Sequence, residues 1–357
     1  MSKYKVGIIG ATGMVGQRFA TLLENHAWFE VSALAASSRS KGKTYKEAAR
    51  WSLDQAMPKS MEDMIIFDAS EDAETIASMV DFVFCAVDMD KKAILALEEK
   101  YAKLECPVVS NNSANRGTVD VPMIIPEINA EHSKVIEQQK VRLGTKRGFI
   151  AVKSNCSIQS YVPALSVLDE YGIKNVTVCT YQAISGAGKT FETAPEILDN
   201  IIPYIGGEEE KSEKEPMKVW GKVTENGIEN ATSPVITAQC IRVPVKDGHM
   251  AAVFVKFDKK PTMEQILDKW ANFENTQAHL PSAPEKFLTY FEEDNRPQTG
   301  LDRDLYGGMG VSIGRLREDH VYDYKFVSLS HNTLRGAAGG AVLMAELLCD
   351  QGYITKK

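Results

Sequence analysis

Several absences narrow the reading of this 357-residue sequence. Its six cysteines (Cys85, Cys106, Cys156, Cys179, Cys240 and Cys349) are scattered, with no C-x-x-C pair. That spacing argues against a zinc ribbon, a thioredoxin-type motif or a disulfide framework, and no metal is expected. No run of about 18 apolar residues occurs, so no membrane-spanning helix is predicted. Basic residues are not in excess: 41 Lys+Arg stand against 48 Asp+Glu, a net charge of −7. Binding to nucleic acid through bulk positive charge is therefore not expected. There is no internal repeat, low-complexity tract, or basic or Gly/Ser-rich tail. Met1-Ser2-Lys3-Tyr4 runs directly into a strand-like segment. No signal peptide is expected there, and a reducing cytoplasm is the predicted compartment.

The composition that is present, 44% hydrophobic and 25% charged, is that of an ordinary globular protein. At roughly 150 residues per domain, the length favours two domains and permits three. The first 110 residues alternate strand-like and helix-like stretches. Apolar strands are predicted at 5–9, 31–35, 64–67, 82–87 and 107–110, with helices at 17–23, 74–79 and 91–101. Continuous apolar strands separated by helices predict a parallel sheet buried on both faces. A helix is predicted over 157–171. After it come longer alternating segments at 176–183, 235–245, 250–257, 311–316 and 322–329. These predict a mixed or antiparallel sheet with one face covered. Thr262-Met263-Glu264-Gln265 carries the signature of a capping box. A small-residue, apolar helix is predicted over 333–348. The fold class is therefore α/β: an N-terminal Rossmann-type dinucleotide-binding domain plus an α+β catalytic domain with a mixed sheet.

Three motifs bear chemistry. Gly10-Ala11-Thr12-Gly13-Met14-Val15-Gly16 lies between a strand and a helix, where glycines let a pyrophosphate approach the backbone and helix N–H groups face it. Its G-x-x-G-x-x-G spacing differs from the usual G-x-G-x-x-G. At the end of the second strand an NAD enzyme places an acid for the ribose hydroxyl. This chain reads Ser37-Ser38-Arg39-Ser40-Lys41 there, which fits a 2′-phosphate and hence NADP. Ser154-Asn155-Cys156-Ser157 puts a thiol where a helix is predicted to start, and the helix dipole should then lower its pKa. A lone cysteine is more often a small buried hydrophobe, and spacing alone favours that reading.

Ser-Asn-Cys-Ser, Tyr181-Gln182-Ala183-Ile184-Ser185-Gly186-Ala187-Gly188 and Arg242-Val243-Pro244-Val245-Lys246-Asp247-Gly248-His249 together resemble aspartate-semialdehyde dehydrogenase. The likeness covers the whole chain and is nearer the archaeal and fungal branch. It implies NADPH-dependent reduction of L-aspartyl 4-phosphate to L-aspartate 4-semialdehyde with release of phosphate, in the biosynthesis of lysine, threonine, methionine and isoleucine. By that resemblance Cys156 is the nucleophile that forms a thioester. His249 is the general acid/base, titrating near neutral pH, and Gln182 hydrogen-bonds the intermediate. Arg242 clamps the substrate carboxylate with a planar fork. Glu208 and Lys211, on one side of a helical turn, take the substrate ammonium and phosphate; a slip of one residue would substitute Glu209. Arg116 binds the transferred phosphate, and Asn155 also lines the substrate site. Gly10, Thr12, Gly13, Met14, Val15, Ser37, Ser38, Arg39, Ser40, Ser185, Gly186 and Asn332 hold NADP. The remaining histidines (His26, His132, His279, His320 and His331) read as surface or structural.

The implied organisation is an NADP-binding domain of residues 1–154 and 333–357 and a catalytic, dimerising domain of residues 155–332. The expected partners are the small-molecule substrate and a second or further copies of the chain, as a homodimer or homotetramer. Two rivals are weighed. An acyl-CoA reductase of the malonyl-CoA type would keep Cys156 and His249 but need a CoA groove. Ala183-Ile184-Ser185-Gly186-Ala187-Gly188-Lys189-Thr190 fits a loose Walker A pattern, which would make a phosphate-binding P-loop protein. Its missing first glycine counts against that reading.

Overall fold

The computed structural model describes residues 2–357. The first sheet is built from β1 (Tyr4–Ile9), β2 (Phe29–Ala36), β3 (Ile66–Asp68), β4 (Phe82–Cys85), β5 (Val108–Ser110) and β6 (Ile150–Val152). Its order is β3-β2-β1-β4-β5-β6, with every pairing parallel. That is the doubly wound order of a Rossmann fold, in which ligands bind beyond the carboxyl ends of the strands, where the order reverses. Val6, Ile8 and Ile9 of β1 and all of β4 are buried, as the continuous apolar runs require. β6 extends the series beyond the five strands expected from the sequence.

A short antiparallel hairpin, β8 (Lys222–Thr224) with β9 (Gly227–Glu229), belongs to neither large sheet and falls in sequence within the second. The second large sheet contains β7 (Ile173–Gln182), β10 (Val235–Arg242), β11 (His249–Phe257), β12 (Leu288–Phe291), β13 (Val311–Glu318) and β14 (Tyr324–Ser330). Its order is β10-β7-β11-β14-β13-β12 and it is mixed: the two outer pairs are parallel and the inner ones antiparallel. Along β7, Val176, Val178, Thr180 and Gln182 are buried while Thr177 and Cys179 between them are half-buried. β10 ends at Arg242 rather than continuing to Val245, because Pro244 has no N–H to give the ladder.

Two predicted helices change. The stretch 157–171 is not one helix but a 3₁₀ turn at Ile158–Ser160, a short helix at Val162–Ser166 and a second 3₁₀ turn at Asp169–Tyr171. Pro163 has no N–H for the Gln159 carbonyl, and its ring would crowd that carbonyl in a continuous helix. The last helix starts at Ala338 instead of Thr333 and runs to Asp350. Before it, the His331 ring accepts from the backbone N–H groups of Thr333 and Leu334 at 3.3 and 3.4 Å, which fixes a turn. The helix is buried from Ala338 to Cys349 and packs on the helix Met14–Leu23 and on β5. The chain thus returns to the first sheet. Leu280 and Met309 also join the apolar cluster around β1 and β4. The Thr262 capping box forms, with Thr262 and Gln265 each bonding the other's backbone N–H.

Candidate active site

The glycine loop opens the helix Met14–Leu23 as expected. Gly10 has φ +92°, and a Cβ there would meet the Ala86 carbonyl oxygen at 2.2 Å; at Gly16 it would meet Gly10 O at 2.2 Å. At Gly13 the nearest atom is 3.6 Å away. Gly10 and Gly16 therefore let loop, helix and sheet pack closely, while Gly13 leaves the approach open. The helix carries no side-chain cap and no acid in its first turn, so its leading N–H groups and positive dipole end are available to an anion. Beyond β2, Ser37, Ser38 and Arg39 are exposed and Ser40 half-buried. Lys41 is engaged by Asp72 at 2.9 Å and Glu71 at 3.3 Å, whereas Arg39 makes no ion pair among the described residues. A cleft of about 770 Å³ joins the glycine loop to the second half of the chain; Thr12, Met14, Ser185, Lys246, Arg303 and His331 are on its wall.

A second cluster forms where β6, β7 and β10 end and β11 begins. Asn155 orders the nucleophile segment: its Oδ1 accepts from Ser157 N at 2.7 Å, and its Nδ2 donates to both oxygens of Glu208 at 3.1 and 3.0 Å. Glu208 also pairs with Lys211 at 2.8 Å and accepts a long bond from Gln182 at 3.3 Å. Burial opposes its charge, but Lys211, Asn155 and Gln182 outweigh that and hold its carboxyl below the ordinary range. Glu209 faces elsewhere and binds Gln239 at 2.7 Å and Cys240 N at 3.2 Å. Glu208 is therefore the residue in the cluster.

Cys156 is half-buried. Its thiol does not behave as the sequence reading expected. A 3₁₀ turn follows it instead of a helix, so little dipole is aimed at the sulfur. Burial, with Glu208 adding to it, pushes the thiol up to about 11, while Lys153, Arg116 and Arg242 act in the opposite sense.

His249 also departs from expectation. It is fully buried, and burial followed by Arg242 pushes its pKa down to about 3. Its Nδ1 accepts the Ala183 N–H at 3.1 Å, while Nε2 has no partner among the described residues. The neutral ring accordingly carries its proton on Nε2, a donor aimed into the site. Arg242 donates to Ala183 O at 2.5 Å and makes no ion pair among the described residues. Gly186 brings the two together: a Cβ there would sit 2.9 Å from His249 Nε2 and 3.1 Å from Arg242 Nη1. Asn332 ties the returning chain in place, with Oδ1 accepting from Gly248 N and Nδ2 donating to Ser185 Oγ, both at 2.8 Å. Arg116 sits in the same region: its Nε donates to Lys153 O, two residues before Asn155, at 2.8 Å.

Three charged residues here escaped the sequence reading. Lys153 is buried, and burial pushes its ammonium down to about 7. Glu215 and Lys218 lie on the helix Glu208–Val219, of which the sequence reading took only Glu208 and Lys211. Their signal was present as Glu208, Lys211, Glu215 and Lys218 at intervals of three, four and three, which is one helical face. The Walker-like stretch is not a P-loop: β7 leads into a 3₁₀ turn at Ile184–Ala187, and the next α-helix begins only at Glu208. A P-loop requires a helix directly after its glycines.

Two family models match the chain. Semialdehyde dehydrogenase, NAD binding domain, covers residues 5–136, and Semialdehyde dehydrogenase, dimerisation domain, covers residues 165–335. The aspartate-semialdehyde dehydrogenase of Methanothermobacter thermautotrophicus is 44% identical over 96% of this chain and 98% of its own length. That of Schizosaccharomyces pombe is 42% identical over 99% of this chain and all of its own. Among solved structures, aspartate semialdehyde dehydrogenase with NADP from Candida albicans superposes with a TM-score of 0.89 at 39% identity, covering 99% of this chain and 100% of that one. The Vibrio cholerae aspartate semialdehyde dehydrogenase II complexed with ASA gives a TM-score of 0.74 at 25% identity, covering 99% and 100%. With archaeal and fungal relatives above 40% identical along nearly its full length, this chain belongs to the aspartate-semialdehyde dehydrogenase family of oxidoreductases.

Proposed function

We propose that this chain reduces L-aspartyl 4-phosphate to L-aspartate 4-semialdehyde, releasing phosphate, through a thioester on Cys156. The observation that carries this reading is the convergence beside Cys156 of a buried guanidinium without an ion pair, Arg242, and a carboxylate, Glu208, with the unpartnered donor His249 Nε2 next to both. An α-amino acid offers the matching carboxylate, ammonium and carbonyl oxygen. Arg242 takes the carboxylate through its planar fork. Glu208 takes the ammonium, and Gln182 beside it lies within reach of the reacting acyl group. Arg116 and Lys211 face the phosphate.

The sulfur of Cys156 attacks the acyl carbon, the bond to the phosphate oxygen breaks, and phosphate leaves with that electron pair. The thiol proton must go as the C–S bond forms. His249, as set in this structure, donates from Nε2 and stabilises the oxygen on which negative charge develops. Taking up the thiol proton at Nε2 requires its other tautomer, whose Nδ1–H would face the Ala183 N–H, so proton transfer is coupled to that hydrogen bond.

The residues around the first sheet fit a dinucleotide: Gly10, Thr12, Gly13, Met14 and Val15 would hold its diphosphate, Ser185, Gly186 and Asn332 its nicotinamide end. Ser37, Ser38, Arg39 and Ser40 present hydroxyls and a free cation, with no acid at the strand end, which supports NADP over NAD. NADPH, when bound, supplies the hydride that reduces the thioester. The mixed sheet, with half-buried side chains along one face, supports assembly as a homodimer or homotetramer.

The test is a substrate panel. Aspartate semialdehyde with NADP⁺ and phosphate should give NADPH, and malonyl-CoA with NADPH should give no turnover. Turnover of malonyl-CoA in place of aspartate semialdehyde overturns the proposal in favour of the acyl-CoA reductase.

A further inference from the structure

One face of the helix Glu208–Val219 carries more than the pair Glu208 and Lys211. Glu215 is buried, and its two oxygens reach different parts of the site. Oε1 accepts from Arg116 Nη1 at 3.0 Å, and Oε2 accepts from the backbone N–H of Asn155 at 2.5 Å, one residue before Cys156. The other arms of Arg116 are also held: Nε donates to Lys153 O at 2.8 Å and Nη2 to Asn111 O at 3.1 Å. Lys218 fixes the main chain of the same arginine. Its Nζ donates to the carbonyls of Arg116, Thr118 and Val121 at 2.8, 2.7 and 2.8 Å. The helix itself is anchored at this level. Pro216 has no N–H, so the Ser212 carbonyl lacks its helical partner, and the buried Tyr161 hydroxyl donates to it at 2.8 Å.

A carboxylate is acceptor-only and can hold a guanidinium and a backbone N–H simultaneously. An arginine side chain left free would sample many rotamers. With three of its arms tied, Arg116 has one orientation relative to the backbone that carries Cys156. We infer that Glu215 is a positioning residue for the reaction: it braces Arg116 against the Cys156 segment, so that the phosphate and the acyl carbon are presented in one fixed relation. Lys218 holds the main-chain end of the same brace. This rests on the reading of Arg116 as the phosphate-binding arginine.

The experiment runs the reaction in the phosphorylating direction with the full chain, comparing parent, Glu215→Gln, Arg116→Lys and the double variant. The amide introduced by Glu215→Gln has one acceptor oxygen where the carboxylate has two, so it cannot accept from Arg116 and the Asn155 N–H together and removes the brace with little change in volume. Glu215→Gln should lower kcat/KM for phosphate by about 10- to 100-fold, the equivalent of one or two charge-assisted hydrogen bonds. KM for aspartate semialdehyde should stay within about threefold. Because the two residues act as a unit, the Glu215→Gln effect should largely vanish in the Arg116→Lys background. If Glu215→Gln does not fold, Glu215→Asp carries the same test, since it keeps the charge but is too short to span both partners. Equal weakening of both substrates, additive with Arg116→Lys, marks a merely structural role and overturns the inference. If Arg116→Lys leaves the phosphate KM unchanged, the phosphate reading falls and this inference with it. If Arg116→Lys raises that KM and Glu215→Gln does not, only the inference falls.

Discussion

Cys156 and His249 show how far a residue's surroundings reset its chemistry. An isolated thiol titrates near 8.5 and an imidazole near 6.5. In this protein burial drives the first up to about 11 and the second down to about 3, so both are neutral at pH 7 in the free enzyme. The sign for the thiol is fixed: a raised pKa keeps it protonated, and the reactive thiolate grows tenfold per pH unit until the pKa is reached. Alkylation of Cys156 by iodoacetamide in the ligand-free enzyme should therefore climb steadily from pH 7 to pH 10; a plateau below pH 8 would show the thiolate already formed. Cys156→Ser should lower turnover by at least ~10³-fold, because a hydroxyl is the poorer nucleophile and leaving group. Near-normal activity in that variant would sink the thioester mechanism. His249→Gln should reduce kcat with little change in KM, since its Nε2–H acts on charge that develops in the transition state. Arg242→Lys should chiefly raise KM for the amino-acid substrate, one ammonium being unable to reproduce the fork. The opposite pattern in steady-state kinetics would reverse the two roles.

Among the elements, the loop after β2 governs cofactor choice in the proposed function. Lys41 is committed to Asp72 and Glu71, which leaves Arg39 as the loop's free cation. Each hydrogen bond to a charged group contributes about 1.5–3 kcal/mol. One or two such bonds to a 2′-phosphate give a preference of roughly 10- to 10³-fold at about 1.4 kcal/mol per tenfold. Arg39→Ala should weaken NADPH binding and spare NADH, and Ser38→Asp should repel the 2′-phosphate and move preference toward NADH. The measurement is kcat/KM for both cofactors; equal loss for both in Arg39→Ala would show that the loop does not read the 2′-phosphate. Five of the six strands of the first sheet were legible because each contains a short apolar run. The segment 157–171 was misread because Pro163 interrupts an otherwise helical composition, and the change matters: it removes the helix dipole from Cys156. The charge run 208–218 was half-read. Its first pair was recognised, but that its later members face inward depends on how the helix lies against the Arg116 loop, which periodicity within the helix does not reveal.

Across the full chain, the returning C-terminal segment is held by a buried ion pair. Arg335 forms two bonds to Glu127, at 3.0 and 2.7 Å, donates to Met309 O, and lies over the Phe287 ring at 4.7 Å. Both side chains are essentially inaccessible, at 1% and 0% exposure. Removing one partner strands a buried charge, at a cost of about 3–5 kcal/mol. Arg335→Met should lower the urea midpoint by that equivalent, and Glu127→Gln in the Arg335→Met background should recover part of it. No recovery would mean that packing of Arg335 on Phe287, not its charge, holds the segment. The same segment carries Asn332, so Arg335→Met should also slacken the contact of Asn332 with Gly248 and Ser185.

Residue order alone was enough for the alternation of apolar strands and helices in the first half, the glycine loop, the acid-free end of β2 and the three motifs that carry the family likeness. These are local signals: each is a pattern of neighbouring residues whose physical meaning does not depend on the rest of the chain. The packed chain was needed for the protonation of Cys156 and His249, the choice of Glu208 over Glu209, and the inward role of Glu215 and Lys218. Each of those depends on burial and on charges brought close from distant parts of the chain, and no spacing along the sequence encodes the dielectric around a side chain or the partner it meets.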